Sequence, residues 1–246
     1  MSLLQFSLNS CSKNSTGPEN TFVNYLPTKM GTYWVYDVYT LDSNGNRTSN
    51  IPTIDSTIIS GTITKLGLVG SIFTSYTIDS SGTSTGTDTY YRSDSSKIYA
   101  FTNLITNMLP SQIPLPINDA WLLIINPNSD LWRIYEQTVT DLQLFVGVTI
   151  TGDLNVEGSN EGTEMITIAS NNFTARKFLI KMTFIGNLTT GTQTIPITYE
   201  RKIYQDYVEN IGLVKSHIEP SVLPLIITSF KMDGEDDILN RYNIVH

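Results

Sequence analysis

Thiol chemistry is almost missing from this sequence. Cys11 is its one cysteine in 246 residues, so no internal disulfide can brace the fold and a hydrophobic core must hold it alone. Histidine is nearly as scarce, with His217 and the terminal His246 the two present. That supply is too thin for a zinc site. No Gly-x-Ser-x-Gly elbow accompanies His217 to suggest a serine nucleophile, and His217 reads as a satisfied residue within a strand. Phosphate-cradling glycine loops and dinucleotide fingerprints do not occur, so no cofactor is expected. Charge is sparse as well: 15% of residues are charged, against about 25% in a typical soluble protein. The net charge of −8, with no basic cluster to offset it, repels phosphate backbones and argues against nucleic-acid binding. No apolar run approaches the roughly 18 residues that a membrane-spanning helix requires.

What the chain has instead is Ser, Thr, Asn and aromatic residues, including 13 Tyr and 3 Trp, arranged with a period of two. Residues 31–39, Gly-Thr-Tyr-Trp-Val-Tyr-Asp-Val-Tyr, are β-branched and aromatic almost throughout and predict a strand. Asp42-Ser43-Asn44-Gly45-Asn46 follows as a tight turn, with Asn-Gly supplying the positive φ angles. Further strands are expected over 53–68, 71–78, 87–92, 97–101, 121–125, 130–137, 145–156, 164–168, 173–185, 194–207, 212–218 and 225–233. A short tail strand is expected near 242–245. Gly70 and the Asp79–Gly82 segment punctuate the early strands, and residues 157–162 read as an acidic, glycine-rich link. Leu104, Ile105, Met108 and Leu109 fall at helical spacing and allow one short helix, which Pro110, Pro114 and Pro116 stop.

About a dozen strands at hairpin spacing imply an all-β fold. The expectation is an antiparallel meander forming a barrel or strongly curved half-barrel, because long twisted strands close to protect their edges, with at most one or two short helices. Residues 21–246 are expected to form a single β domain, preceded by a flexible segment over 1–20.

That first segment carries a second signal. Leu8-Asn9-Ser10-Cys11 places Leu three positions before a Cys and a small residue just ahead of it, which is how a bacterial lipoprotein signal ends. The polar run from Ser12 to Asn20 then reads as a tether. Residues 1–10 contain no Lys or Arg, and their apolar part falls short of the about 7–15 residues of a signal core. The true start therefore lies upstream of Met1, or only the end of the signal is present. Lipidation of Cys11 predicts a membrane-anchored protein of the cell envelope outside the cytoplasm, in the periplasm or at the cell surface. The alternative is a free thiol on a disordered N-terminus.

Residues 25–36, Tyr-Leu-Pro-Thr-Lys-Met-Gly-Thr-Tyr-Trp-Val-Tyr, resemble the opening of many uncharacterised secreted lipoproteins of Bacteroidota-type bacteria. In those proteins a Tyr/Phe-Pro-Leu-Lys-x-Gly segment leads into a Trp-x-Tyr strand shortly after the lipidated Cys. Residues 207–216, Tyr-Val-Glu-Asn-Ile-Gly-Leu-Val-Lys-Ser, resemble the Tyr-Ala-x-x-Val-Gly-Leu-Val-Lys turn and strand of the same group. Together the two stretches cover 22 of the 246 residues. The resemblance implies a secreted β-rich lipoprotein and brings no activity with it.

For function, the residues favour binding over catalysis. Trp34, Tyr36, Trp121 and Trp132 are the candidate ligand-binding side chains, since each joins an apolar ring to a polar edge. Core anchoring is the plainer role for all four. Glu157, Glu161 and Glu164 form one acidic cluster, and Asp233, Glu235, Asp236 and Asp237 form another. Neither has the order of a known calcium loop, and both read as solvated turns. The expected role is non-enzymatic: carriage of a small apolar ligand in a barrel-like interior, which requires a cavity of roughly 300 Å³ or more. A surface module binding protein or glycan is the alternative. A glycoside hydrolase built on paired carboxylates is a distant third.

Overall fold

The structure, a computed structural model, describes residues 23–78, 84–102, 117–168, 170–224 and 229–246. Cys11, the tether and the expected helix at 103–109 lie outside the described residues. Among the described residues every regular element is a strand: β1 Tyr33–Leu41, β2 Thr53–Lys65, β3 Leu68–Ile78, β4 Ser84–Asp94, β5 Lys97–Phe101, β6 Trp121–Ile125 and β7 Leu131–Phe145. There follow β8 Val148–Ile168, β9 Asn171–Thr190, β10 Gln193–Val208, β11 Gly212–Ile218, β12 Ser221–Pro224, β13 Ser229–Met232 and β14 Gly234–Asn243.

Twelve strands make one antiparallel sheet in the order β6-β5-β4-β3-β2-β1-β14-β11-β10-β9-β8-β7. This is two meanders, one from each half of the chain, joined because β14 pairs with β1 on one side and β11 on the other. The two outermost strands, β6 and β7, are consecutive in sequence, and the sheet curls until they approach each other as a nearly closed barrel. A small hairpin, β12–β13, stands outside the sheet and tucks Leu223 into the core, with Ser221 bonded to Tyr199 at 3.1 Å.

Several boundaries differ from the sequence expectation. The turn between β2 and β3 sits at Leu66-Gly67, both with positive φ (53° and 75°), the mirror-type hairpin turn that matches strand twist. Gly70 is inside β3, where the indole of Trp121 lies so close that an added Cβ would sit 2.5 Å from the ring. Asp42–Asn46 does form a tight turn, closed by Asp42 N–H to Asn46 O at 2.8 Å. It leads only to one isolated bridge, Leu41 to Arg47, before β2 begins at Thr53. Residues 157–162 are not a link. They run through the middle of β8, whose ladder to β9 continues past them with one irregularity between Asn160 and Gly162. The expected tail strand near 242–245 is the end of β14, which begins at Gly234 and occupies the centre of the sheet.

The core fills one side of the barrel. Leu154 and Val156 of β8 and Phe178, Ile180 and Met182 of β9 are all 0–1% exposed, on alternate positions as a pleated strand requires. Phe178 meets Tyr25, Trp132 and Tyr207 edge-on at 6.0–6.3 Å, contacts worth about 0.5–1.5 kcal/mol each beyond burial. At the seam, Trp132 Nε1 donates to Leu123 O at 2.9 Å, reaching from β7 to β6. Its ring lies against Gly158 of β8, where a Cβ would fall 2.1 Å from the indole. Gly158→Ala is therefore expected to destabilise the fold by about 2–3 kcal/mol in urea unfolding. In a Trp132→Leu background the same change should cost much less, because the coupled partner is gone.

Candidate functional site

The opposite side of the barrel is not filled. There β2, β3 and β4 turn Asp55, Thr57, Ser75 and Thr89 inward, where the β8–β9 side presents Leu, Ile, Met and Phe. Short polar side chains cannot span the interior, and a partly enclosed cavity of about 220 Å³ results. Five aromatic side chains form much of the remaining wall, Trp34 and Tyr36 from β1, Phe73 from β3, Tyr91 from β4 and Tyr207 from β10, with Leu26, Val38, Ile124 and Leu213 beside them. Trp34 stacks on Phe73 at 5.7 Å and 13°, and Phe73 meets Tyr91 edge-on at 5.0 Å.

The polar edges of these rings are tied to the frame. Trp34 Nε1 donates to Ile211 O at 2.7 Å, Tyr36 OH to Leu213 O at 3.0 Å and Tyr207 OH to Gln205 Oε1 at 3.2 Å. Burial pushes the hydroxyls of Tyr36, Tyr91 and Tyr207 above the usual tyrosine range, so all three stay neutral. The first two bonds cross from β1 to the chain entering β11, so they hold the ring positions to the closure of the sheet.

A row of carboxyls meets this wall. Asp237 of β14 and Asp55 of β2 both line the cavity, and Glu235 precedes Asp237 on the same inward face, two residues along. Burial, with Glu235 as a hydrogen-bonded neighbour and Asp55 close by, pushes Asp237 up to about 8. Burial raises Asp55 and Glu235 as well. Oδ1 of Asp55 and Oδ1 of Asp237 are buried without a hydrogen-bond partner. Arg201, itself 8% exposed, pulls Glu235 back toward its charged form. Among the described residues, no three His, Cys, Asp or Glu side chains are grouped as a metal ion would need.

Of the four aromatic candidates, the structure brings Trp34 and Tyr36 together in the cavity wall. Trp121 and Trp132 are elsewhere, one over Gly70 with Nε1 bonded to Lys65 O at 3.0 Å, the other at the seam. The acidic cluster 233–237 is divided by the pleat of β14 and is not a solvated turn. Asp237 lines the cavity, while Asp236 faces outward and accepts from His217 Nδ1 at 2.6 Å. The Glu157–Glu164 cluster does not converge either. Glu164 pairs with Lys177 and Lys215 at 3.5 Å each, on the outer face beside Asp206, whose carboxyl burial lifts to about 6. Sequence reasoning missed Asp55, Phe73, Tyr91 and Tyr207. The available signal was Asp55 itself, a charge at an inward position of an otherwise apolar and hydroxyl-bearing strand.

No family model matches the sequence, and no curated protein matches it either. Among solved structures the chain is similar to a "putative lipoprotein" of Parabacteroides distasonis, with 15% identity over 90% of this chain and 99% of that one at a TM-score of 0.49. It is also similar to a "putative exported protein with YmcC-like fold" of Bacteroides fragilis, with 14% identity over 90% and 99% of the chains and a TM-score of 0.43. Likenesses of that degree assign no family.

The carboxyl row has a measurable consequence. Asp237 keeps its proton up to about pH 8 in the fold but only to about 3.9 in the unfolded chain. Unfolding therefore releases a proton between those values, and stability falls as pH rises from about 4 to 8, then levels off. Asp237→Asn removes that loss. It should raise Tm by roughly 3–8 °C at pH 9 and leave it almost unchanged at pH 4, as read by thermal unfolding at the two pH values.

Proposed function

We propose that the protein is a non-enzymatic, lipid-anchored binding protein of the cell envelope that holds one small molecule inside its barrel. The observation that carries this reading is the cavity of about 220 Å³, walled by five rings and edged by two carboxyls with unpartnered buried oxygens. Unsatisfied buried polar atoms cost about 1–3 kcal/mol each, and a bound polar ligand offsets that loss. The volume falls below the roughly 300 Å³ that an apolar-ligand carrier was expected to need, and the lining is mixed. A compact ligand with one polar end fits better than a fatty acyl chain. Rings fixed by hydrogen bonds to the backbone pre-organise the wall, which reduces the ordering needed on binding.

Location outside the cytoplasm rests on the Leu8–Cys11 pattern and the polar tether that follows it. Two or three acyl chains on a mature lipoprotein cysteine would anchor stably where one would not.

Binding is tested with benzyl alcohol as a neutral probe, followed through the indole N–H resonance of Trp34. A saturable shift is expected, and Ser75→Leu, which puts a branched side chain into the cavity, should weaken it at least fivefold. No shift up to the solubility limit of this probe, with benzylammonium and benzoate equally silent, rules the reading out. For anchoring, the chain expressed in a bacterial host behind a complete export signal should incorporate labelled palmitate. Cys11→Ser should incorporate none; equal labelling of both would sink the lipidation of Cys11.

A further inference from the structure

We infer that the cavity selects a small organic cation, a protonated amine on a compact aromatic or apolar body, with the ammonium seated at Asp55 and Asp237 and the body against the rings. The inference rests on the reading of this cavity as a ligand site and adds the chemical class of the ligand.

The wall is unevenly supplied with free hydrogen-bonding groups. Four of its donors are committed to protein acceptors: Trp34 to Ile211 O, Tyr36 to Leu213 O, Tyr207 to Gln205 Oε1 and Thr89 to Phe73 O at 3.3 Å. Thr57 and Ser75 bond each other at 2.8 Å. The buried atoms left without partners in the lining are acceptors, Oδ1 of Asp55 and Oδ1 of Asp237. A ligand group that satisfies these two oxygens donates to them. An ammonium donates up to three hydrogen bonds and accepts none.

Charge points the same way. Arg201 is nine-tenths buried, and its field acts on Glu235, not on the two carboxyls that line the cavity. Among the described residues no basic group is a leading influence on Asp55 or Asp237, while Glu235, Asp55 and Asp236 all press on Asp237 with like charge. A cation entering there relieves that repulsion, whereas an anion adds to it. The rings reinforce the choice, because the negative faces of Trp, Tyr and Phe attract an ammonium within about 6 Å, more strongly in a desolvated pocket.

Binding then displaces the proton on Asp237 to solvent, and the carboxylate and ammonium pair. The O–H bond of the Asp237 carboxyl breaks, its proton passes to water, and an ammonium N–H donates to the carboxylate left behind, so no other reactant is needed. The groups that face Asp237 are Glu235 on its own strand, Asp55 from β2 and Tyr36 from β1. Of these the neutral tyrosine does not titrate in the range tested.

The test compares three probes of one shape on the whole chain: benzylammonium, benzyl alcohol and benzoate, titrated calorimetrically at pH 6 and pH 8. Benzylammonium is expected to bind at least tenfold tighter than benzyl alcohol at pH 8, with benzoate silent, and at least fivefold tighter at pH 8 than at pH 6. Asp237→Asn should reduce the preference for the cation over the alcohol to about twofold, with Asp55→Asn as the second variant. If benzyl alcohol or benzoate binds as well as the cation, the choice of an amine is overturned and the cavity remains a ligand site. If none of the three binds, both fall together.

Discussion

The constraint on which this molecule depends is the insertion of its last strand between its first and its eleventh. β14 pairs with β1 from Gly234 to Asn243 and with β11 from Glu235 to Ile238. Without it the chain would be two open meanders, each with an inner face exposed along one edge. Such contacts lie far apart in sequence, up to Tyr33 with Asn243. Pairing at that separation carries a large loop-closure entropy, and contacts of this kind slow folding. The same strand brings Glu235 and Asp237 to the inside, so the element that completes the sheet also supplies the acidic edge of the cavity.

Once the sheet is closed, its two sides do different work. The β8–β10 side is packed with Phe178, Ile180, Met182 and Tyr199, all nearly inaccessible to water, and glycines there permit close approach, of the Trp132 ring at Gly158 and of the paired backbones at Gly152 and Gly186. The β2–β4 side turns hydroxyls and Asp55 inward and leaves space. A filled side can hold an unfilled one in shape because the backbone ladder is continuous between them. Buried carboxyls without cationic partners weaken a fold by several kcal/mol when ionised, so the hollow side subtracts from stability that the packed side supplies. Such sites are where binding chemistry is most often found.

The rings are placed by the same closure. Trp34 and Tyr36 reach from β1 to carbonyls at Ile211 and Leu213, on the opposite flank of β14. Their positions follow from which strands are brought within one strand's width of each other. On the outer face β11 and β14 join β8 and β10 in a charged surface, with His217 bonded to Asp236 and Lys215 between Glu164 and Asp206. That surface is balanced in sign, whereas the inside is short of positive charge.

The sequence by itself determined the class of the fold and most of its strands. A period of two, turn residues between runs and the near absence of helical spacing are local properties, written in neighbouring residues. Trp34 and Tyr36 were legible as candidates for the same reason, two large rings on one face of an obvious strand. What only the tertiary structure decided is which strand lies beside which, and therefore what faces the interior. Residues 157–162 read locally as a link because glycines and acids favour turns, yet pairing with β9 on one side and β7 along much of its length carries them through as a strand. The 233–237 cluster read as a solvated turn because four acids in five residues belong in water. Pairing on both sides of β14 overrides that preference and separates Asp237, inside, from Asp236, outside. Asp55, Phe73, Tyr91 and Tyr207 are scattered over 153 positions, and no local pattern links them. They share a cavity because a closed antiparallel sheet turns alternate residues of every strand toward one common space.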